Sequence, residues 1–248
     1  MPDKRSHRGP HPEDHLLFCT ECWPALQNAV RDLSWLLSHG YAINSGLKLV
    51  GDRFQLNERQ RLAVMRCTCS SESLQGRRER QLHISAIAGQ SVILDGYNVL
   101  TTIESALGGG ILLRAMDGCL RDLASMHGHY KRVAETAPAL GLMGQTLATL
   151  GAGRVEILLD APVSNSGRLK GVMQKLAAEN NWPWDISLLP DPDPVLAMSP
   201  AIIATADSVI LDGARNPAGA AKPRWVNLAA HIVETHVTAA TIVPMNVP

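Results

Sequence analysis

Three aspartates each follow a short apolar run that is typical of a buried strand. They are Asp95 after residues 91–94, Asp160 after residues 155–159 and Asp207 shortly after residues 201–205. Ligands of open α/β sheets bind just outside the carboxyl ends of parallel strands, so we expect these carboxylates to converge on one crevice. Mutual repulsion and desolvation disfavour such a cluster unless a cation occupies it. Oxygen ligands select hard cations, which favours Mg²⁺ or Mn²⁺.

A divalent ion held by carboxylates can activate water and stabilise the leaving oxygen of a phosphodiester. This chemistry requires no nucleophilic side chain. However, an aspartate at a strand end is also an ordinary helix N-cap or turn residue. The spacing alone therefore leaves the metal site and the structural role equally open.

Strands alternate with helices in the second part of the chain, which predicts a parallel sheet flanked by helices. The low aromatic content, 4% of residues, favours the same α/β class. Helices are predicted at about 111–126, 139–150 and 167–180. Strands are predicted at 82–84, 92–94, 155–159, 185–189, 201–205 and 208–211.

The first part of the chain has helical periodicity. One helix is predicted from Pro24 to a glycine cap at His39-Gly40, and a second helix begins after the N-cap Asn57. Residues 47–53 between them read as a short apolar run and a tight turn. We therefore expect a disordered N-terminus at 1–15, a small helical domain at 16–82 and the α/β domain at 83–248.

The motifs around the aspartates also resemble a known family. Residues 93–99, Ile-Leu-Asp-Gly-Tyr-Asn-Val, closely resemble the opening motif of NYN domains in the PIN-like ribonuclease superfamily. Residues 158–161 resemble the strand-end Asp-Ala of NYN members, and residues 204–210 resemble the segment with the last PIN acid. The whole chain resembles an uncharacterised prokaryotic family that joins a short helical domain to a PIN-like domain.

This resemblance implies a metal-dependent ribonuclease with a PIN/NYN-like domain, Mg²⁺ or Mn²⁺ as cofactor and RNA as substrate. Asp95 would be the central metal ligand and Asp207 would share the metal. Asp160 and Asp193 would complete the acidic cluster directly or through water. PIN domains usually add an acid from the second helix, and either Asp117 or Asp122 could fill that position.

Several polar residues near these acids could bind substrate. Asn98 could orient Asp95 or a phosphate oxygen, or it could simply be a turn residue. A phosphate could bind at the start of the helix predicted at 167–180, where the alternative is helix capping or solvated charge. The residues concerned are Ser164, Asn165, Ser166, Arg168 and Lys170.

Four cysteines form a CxxC pair, Cys19 and Cys22, and a CxC pair, Cys67 and Cys69. Four thiolates could hold a structural Zn²⁺. The alternatives are small, partly buried thiols or a disulfide formed on oxidation.

Arginines are concentrated between residues 59 and 80, where they could guide RNA or simply form a charged helix face. Net charge is zero, with residues 1–90 net +3 and residues 91–248 net −3. No apolar run reaches the roughly 18 residues of a membrane span. We therefore expect a cytoplasmic protein without a membrane partner, with a homodimer as a further option. The alternatives to a ribonuclease are a non-catalytic RNA-binding or scaffolding protein and a metal-dependent hydrolase of a small phosphorylated molecule.

Overall fold

The computed structural model describes residues 7–123, 130 and 132–246. The helices are α1 (Asp14–Leu17), α2 (Trp23–Ser38), α3 (Ile43–Arg53), α4 (Glu58–Cys67), α5 (Ser71–Arg80), α6 (Gly96–Leu107), α7 (Thr136–Thr149), α8 (Ser166–Asn180), α9 (Asp193–Ala197), α10 (Ser208–Asp212) and α11 (Leu228–His236). The strands are β1 (Val92–Asp95), β2 (Leu112–Arg114), β3 (Leu120–Asp122), β4 (Val155–Asp160), β5 (Trp184–Leu189), β6 (Ile202–Ala204), β7 (Trp225–Val226) and β8 (Ile242–Pro244).

Five parallel strands form the main sheet in the order β5-β4-β1-β6-β7. From the central strand β1 the chain builds outward through β4 to β5. It then returns to the other side of β1 to add β6 and β7. The direction of building thus reverses between β1 and β6, and such a switch point opens a crevice at the carboxyl ends of the strands.

Both faces of the main sheet are covered, as its continuous apolar strands require. Val92 and Leu94 of β1 point into a core formed with α6, α7, α8 and α11. Ile93, which points the other way, packs with α9, α10 and β7. The predicted fold class, a parallel sheet flanked by helices and preceded by a helical region, is confirmed.

The step from β1 into α6 depends on Gly96. A Cβ atom on Gly96 would lie 2.7 Å from the Leu158 carbonyl oxygen and 2.6 Å from a Leu159 methyl carbon. Only glycine lets the first turn of α6 pack this closely against β4. This close approach fixes Asp95, the residue immediately before it, at the edge of the sheet.

The N-terminal helices share their core with a second, three-stranded sheet in the order β3-β2-β8. Leu33 of α2 and Val64 of α4 lie in the same apolar cluster as Leu113 and Val243. Leu112 and Leu120 of this sheet join the core of the main sheet instead. The small sheet therefore connects the helical region to the α/β region. The predicted start of α4 is confirmed, since Asn57 forms a reciprocal capping box with Gln60.

Two element types predicted for the α/β region were wrong. Residues 112–122 of the helix predicted at 111–126 form the β2–β3 hairpin instead, because Asp117-Gly118 lies in its turn and Gly118 adopts φ +80°, while residues 124–126 lie outside the described part of the chain. Residues 208–211, predicted as a strand, belong to α10. The Asp207 side chain caps that helix, and Gly213 ends it at φ +60°.

Two further segments in the first third of the chain also differ from expectation. Residues 47–53 lie within α3, whose Gly46 and Gly51 lower helix propensity but pack against α2 and Arg61. Residues 82–84 do not form a strand. Leu82 donates one backbone hydrogen bond to Trp225 (2.8 Å), and a 3-10 turn, Ile84–Ile87, follows.

Residues 1–15 were predicted to be disordered, but the part from His7 onward makes specific contacts. The Arg8 guanidinium donates to the fully buried Glu104 carboxylate (2.8 Å), and His7 contacts Glu135 (2.7 Å). Polar composition did not reveal this order because the partners lie about a hundred residues away. Residues 1–6 lie outside the described part of the chain. Among the described residues no helix is long and apolar enough to cross a membrane.

Candidate active site

A crevice of about 470 Å³ opens at the carboxyl edge of the main sheet, at the switch point. Its acidic residues come from the ends of β1 and β4, the starts of α9 and α10, and the end of β3. These residues are Asp95, Asp160, Asp193, Asp207 and Asp122. The structure therefore brings together all four aspartates predicted as metal ligands.

Asp95 is the most strongly perturbed acid of the crevice. Its pKa is raised from the ordinary value of 3.8 to about 7, chiefly by burial and in smaller part by the charges of Asp207 and Asp160. A hydrogen bond from the Thr205 hydroxyl to Asp95 Oδ2 (2.8 Å) opposes this rise. The carboxylate therefore holds its negative charge at neutral pH only at a cost to the folded state.

The other acids are also electrostatically coupled. The pKa values of Asp160 and Asp193 are raised, first by burial and then by neighbouring carboxylates that include Asp207. Arg215 offsets part of this repulsion through its contact with Asp193 (3.3 Å). One carboxylate oxygen of Asp207 caps helix α10, where it accepts a hydrogen bond from the Val209 amide (2.7 Å).

The segment that follows β6 is held in place by three hydrogen bonds. The Ala206 amide donates to Asn98 Oδ1 (2.7 Å), and the Asp207 amide donates to the Thr205 hydroxyl oxygen (3.0 Å). Arg121 Nε donates to the Ala206 carbonyl (3.0 Å). Asn98 thus has a structural role that fixes Asp207 relative to Asp95. Nothing in the sequence pattern singled out Thr205 or Arg121 for this role.

Asp117 does not line the crevice. Its side chain is 1% exposed and accepts hydrogen bonds from Arg77 Nη1 (2.6 Å) and from both terminal nitrogens of Arg121 (2.7 and 2.9 Å). These two guanidinium groups hold its pKa far below the ordinary value despite its burial. Asp212 also pairs with Arg77 (2.6 Å). Of the two acids considered for this position, it is Asp122 that reaches the crevice.

Tyr97 also lines the crevice. The residue is 3% exposed, and within the described residues its hydroxyl has no hydrogen-bond partner. Burial raises the pKa of this hydroxyl to about 12, so it is a hydrogen-bond donor at neutral pH. A buried, unpartnered donor is unfavourable unless a ligand or water accepts from it.

The residues predicted to bind phosphate at the start of α8 do not line the crevice. Asn165 donates to the Tyr130 carbonyl (3.1 Å), and the Ser166 hydroxyl donates to the Ala161 carbonyl (3.1 Å). Ser164 belongs to the same turn. Arg168 is exposed and Lys170 partly exposed on α8. This turn therefore stabilises the entry into α8.

The four cysteines considered as possible Zn²⁺ ligands are not assembled into one site in the described part of the chain. Cys19 and Cys22 contact each other (Sγ–Sγ 3.1 Å) beside the start of α2. Cys67 and Cys69 are buried, and burial raises their pKa values to about 12 and about 11. Thiols of this kind are neutral at physiological pH and pack as small apolar groups.

In the described part of the chain, no group of three or more His, Cys, Asp or Glu side chains is arranged to hold a metal ion directly. The crevice aspartates therefore share an electrostatic environment without forming a closed set of ligands. Mg²⁺ would not require such a closed set, because it keeps several waters and takes one or two carboxylates plus substrate phosphates.

Residues 84–229 match the family described as "Domain of unknown function (DUF5616)". This match covers more than half of the chain. The chain belongs to the DUF5616 family. All five crevice aspartates lie within the DUF5616 match. Residues 25–80, which contain most of α2 and all of α3 to α5, match the family described as "Protein of unknown function (DUF434)".

One relative is the "Uncharacterized protein MJ0935" of Methanocaldococcus jannaschii. It is 27% identical over 188 residues, which are 75% of this chain and 89% of that protein. No solved structure matches the chain. A two-part organisation thus fits the family matches, and neither match is to a PIN or NYN family. A cytoplasmic location and a homodimer stay predictions from the sequence.

Proposed function

We propose that this DUF5616 protein is a Mg²⁺- or Mn²⁺-dependent ribonuclease with a PIN/NYN-like domain. The observation that carries the proposal is the convergence of Asp95, Asp160, Asp193 and Asp207 on one crevice at the switch point of a parallel sheet. Further support comes from Tyr97, a residue of the crevice lining whose buried hydroxyl has no hydrogen-bond partner among the described residues. The sequence motif around Asp95 gives the resemblance to NYN domains.

The oxygen-only donors of the crevice fit a hard cation. Asp95 and the free oxygen of Asp207 would ligate it, and Asp160 and Asp193 would orient waters of its shell. When bound, such an ion supplies an activated water and stabilises the leaving oxygen. The Thr205 hydroxyl fixes the Asp95 carboxylate, and the Tyr97 hydroxyl is available to donate to a phosphate oxygen or to an ordered water.

A second candidate is a metal-dependent hydrolase of a small phosphorylated molecule. The volume of about 470 Å³ favours it, since small-ligand pockets measure roughly 300–1,000 Å³. The two activities would use the same carboxylates. They differ only in whether a polynucleotide or a small phosphate ester is turned over.

Cleavage of end-labelled single-stranded RNA, followed during titration with Mn²⁺, tests the proposal. We expect metal-dependent cutting that Asp95→Asn abolishes. The matched control is Asp185→Asn, because Asp185 is an exposed acid on β5 that pairs with Arg154 at the surface. Metal-dependent turnover of nucleoside phosphates without RNA cleavage would support the second candidate. RNA binding without cleavage, unaffected by metal and by Asp95→Asn, would replace both with a non-catalytic RNA-binding protein.

A further inference from the structure

Among the described residues, two arginines line the acidic crevice, and they differ in which groups their nitrogens already bind. The Arg121 side chain is 10% exposed, and its guanidinium is committed to the Asp117 carboxylate and the Ala206 carbonyl. Arg66 is partly exposed, with 33% of its side chain accessible. Within the described residues only its Nη1 is used, donating to the Asp122 carbonyl (2.5 Å) and lying 3.4 Å from Asp122 Oδ1. Two donor-bearing nitrogens of Arg66 are thus available to a ligand.

Arg66 belongs to the last turn of α4, which lies in the helical region that precedes the main sheet. The next residue, Cys67, accepts a backbone hydrogen bond from Met116 of the β2–β3 hairpin (3.1 Å). The end of α4 is therefore fixed to the hairpin that forms one wall of the crevice. This anchoring and the bond to Asp122 hold the Arg66 guanidinium at a defined place.

The remaining arginines between residues 59 and 80 have other roles. Their contacts are Arg59 with Asp14, Arg61 with Asp52, Arg77 with Asp117 and Asp212, and Arg80 with the Pro223 carbonyl, while Arg78 is exposed on α5. The sequence suggested one basic patch. Only Arg66 from this group lines the crevice.

The acidic crevice requires a cation if it is to bind an anionic substrate, and Arg66 can supply one. Among the described residues five carboxylates line the crevice; Asp122 pairs with Arg66 and Asp193 with Arg215, while the charge of Arg121 is matched by Asp117. A phosphodiester is itself an anion and is repelled by uncompensated carboxylates. A guanidinium with free donors offers charge and a planar pair of hydrogen bonds to phosphate oxygens.

We propose that Arg66 binds a backbone phosphate of the RNA substrate beside the scissile one. The segment that matches DUF434 would then form part of the substrate site of the DUF5616 region. This assignment rests on the proposed ribonuclease function. It adds that the helical region supplies a substrate-binding residue.

Binding of labelled single-stranded RNA to the full chain, measured by fluorescence anisotropy with EDTA present, tests the role of Arg66 apart from cleavage. We expect Arg66→Gln to weaken binding about 10- to 100-fold, because hydrogen bonds to charged groups contribute roughly 1.5–3 kcal/mol. The slope of log affinity against log salt should fall by about one phosphate contact. Arg78→Gln is the matched control and should leave both quantities near wild type.

Arg66→Lys separates a binding role from a folding role. It keeps the charge, so it should restore the salt slope, but it should recover only part of the affinity because the planar donor pair is lost. Thermal melts of each variant show whether it is folded. Wild-type affinity in a folded Arg66→Gln, with metal-dependent cleavage intact, would overturn the role of Arg66 and leave the ribonuclease function standing. Wild-type protein that neither binds nor cleaves RNA would overturn the function itself, and the role of Arg66 with it.

Discussion

Replacing Asp95 with asparagine should stabilise the metal-free protein while abolishing its proposed activity. Asparagine has nearly the same shape and can still accept a hydrogen bond from Thr205 through its side-chain oxygen. It carries no charge, so it avoids both the burial of a carboxylate and the repulsion by Asp207 and Asp160. Residues that are required for function often lower the stability of the folded protein, which is known as the stability–activity trade-off.

The size and pH dependence of this effect follow from the pKa of Asp95. Its pKa is raised in the folded protein from 3.8 to about 7, so its stabilising contribution is complete below pH 3.8 and is lost as pH rises through 7. Each pKa unit corresponds to about 1.4 kcal/mol, so the loss is at most roughly 4 kcal/mol, and solvent reaching the half-buried carboxylate reduces it. The gain from Asp95→Asn should therefore grow between pH 4 and pH 7 and then level off.

Chemical denaturation in the presence of EDTA, repeated at pH 5 and pH 8, measures this gain. Asp185→Asn, at an exposed surface pair, should change the free energy of unfolding by less than about 1 kcal/mol at either pH. Adding Mn²⁺ should stabilise the wild type by mass action and leave Asp95→Asn almost unchanged. A variant that is less stable than wild type at pH 8 without metal, or one equally stabilised by Mn²⁺, would refute the reasoning.

Three further substitutions test other parts of the structure. Asp117→Ala should destabilise the protein by about 3–5 kcal/mol in urea denaturation, because Arg121 loses its carboxylate partner and Arg77 keeps only Asp212. Asp52→Ala, at an ion pair that is 53% exposed on the aspartate side, should leave the stability near that of the wild type. Tyr97→Phe should leave the protein as stable as the wild type or up to about 1 kcal/mol more stable, because the hydroxyl that it removes lacks a hydrogen-bond partner among the described residues. The same substitution should slow metal-dependent RNA cleavage, and an unchanged cleavage rate would show that the hydroxyl does not contact the substrate. Arg8→Ala should destabilise the protein more at pH 8 than at pH 5, because Glu104, whose pKa burial already raises, loses its cation; a pH-independent effect in thermal melts would contradict this.

The sequence was sufficient to predict the strands that carry the acids. Runs such as Val92–Asp95 and Val155–Asp160 are short and apolar and end in an acid, and the structure has strands at both positions. Parallel pairing then explains why the strand ends meet. The prediction that Asp95, Asp160 and Asp207 converge therefore needed no long-range information beyond the fold class, whereas Asp193 was assigned from the family resemblance.

Residues whose roles depend on distant partners could not be predicted. Arg77 and Asp212 are separated by 135 positions, and no spacing rule connects them. Asp117 was a candidate for the site because it was placed on a predicted helix, whereas the hairpin turn carries it into a buried ion pair. Arg66 was one of six similar arginines, and only tertiary packing of α4 against the hairpin distinguishes it.

Anomalous diffraction from crystals of the protein soaked in Mn²⁺ tests the central claim most directly. We predict a peak in the crevice within coordination distance of Asp95 or Asp207, with Asp160 and Asp193 reached directly or through water. The absence of any peak there in crystals that bind Mn²⁺ elsewhere, at the cysteines or on the surface, would contradict the account.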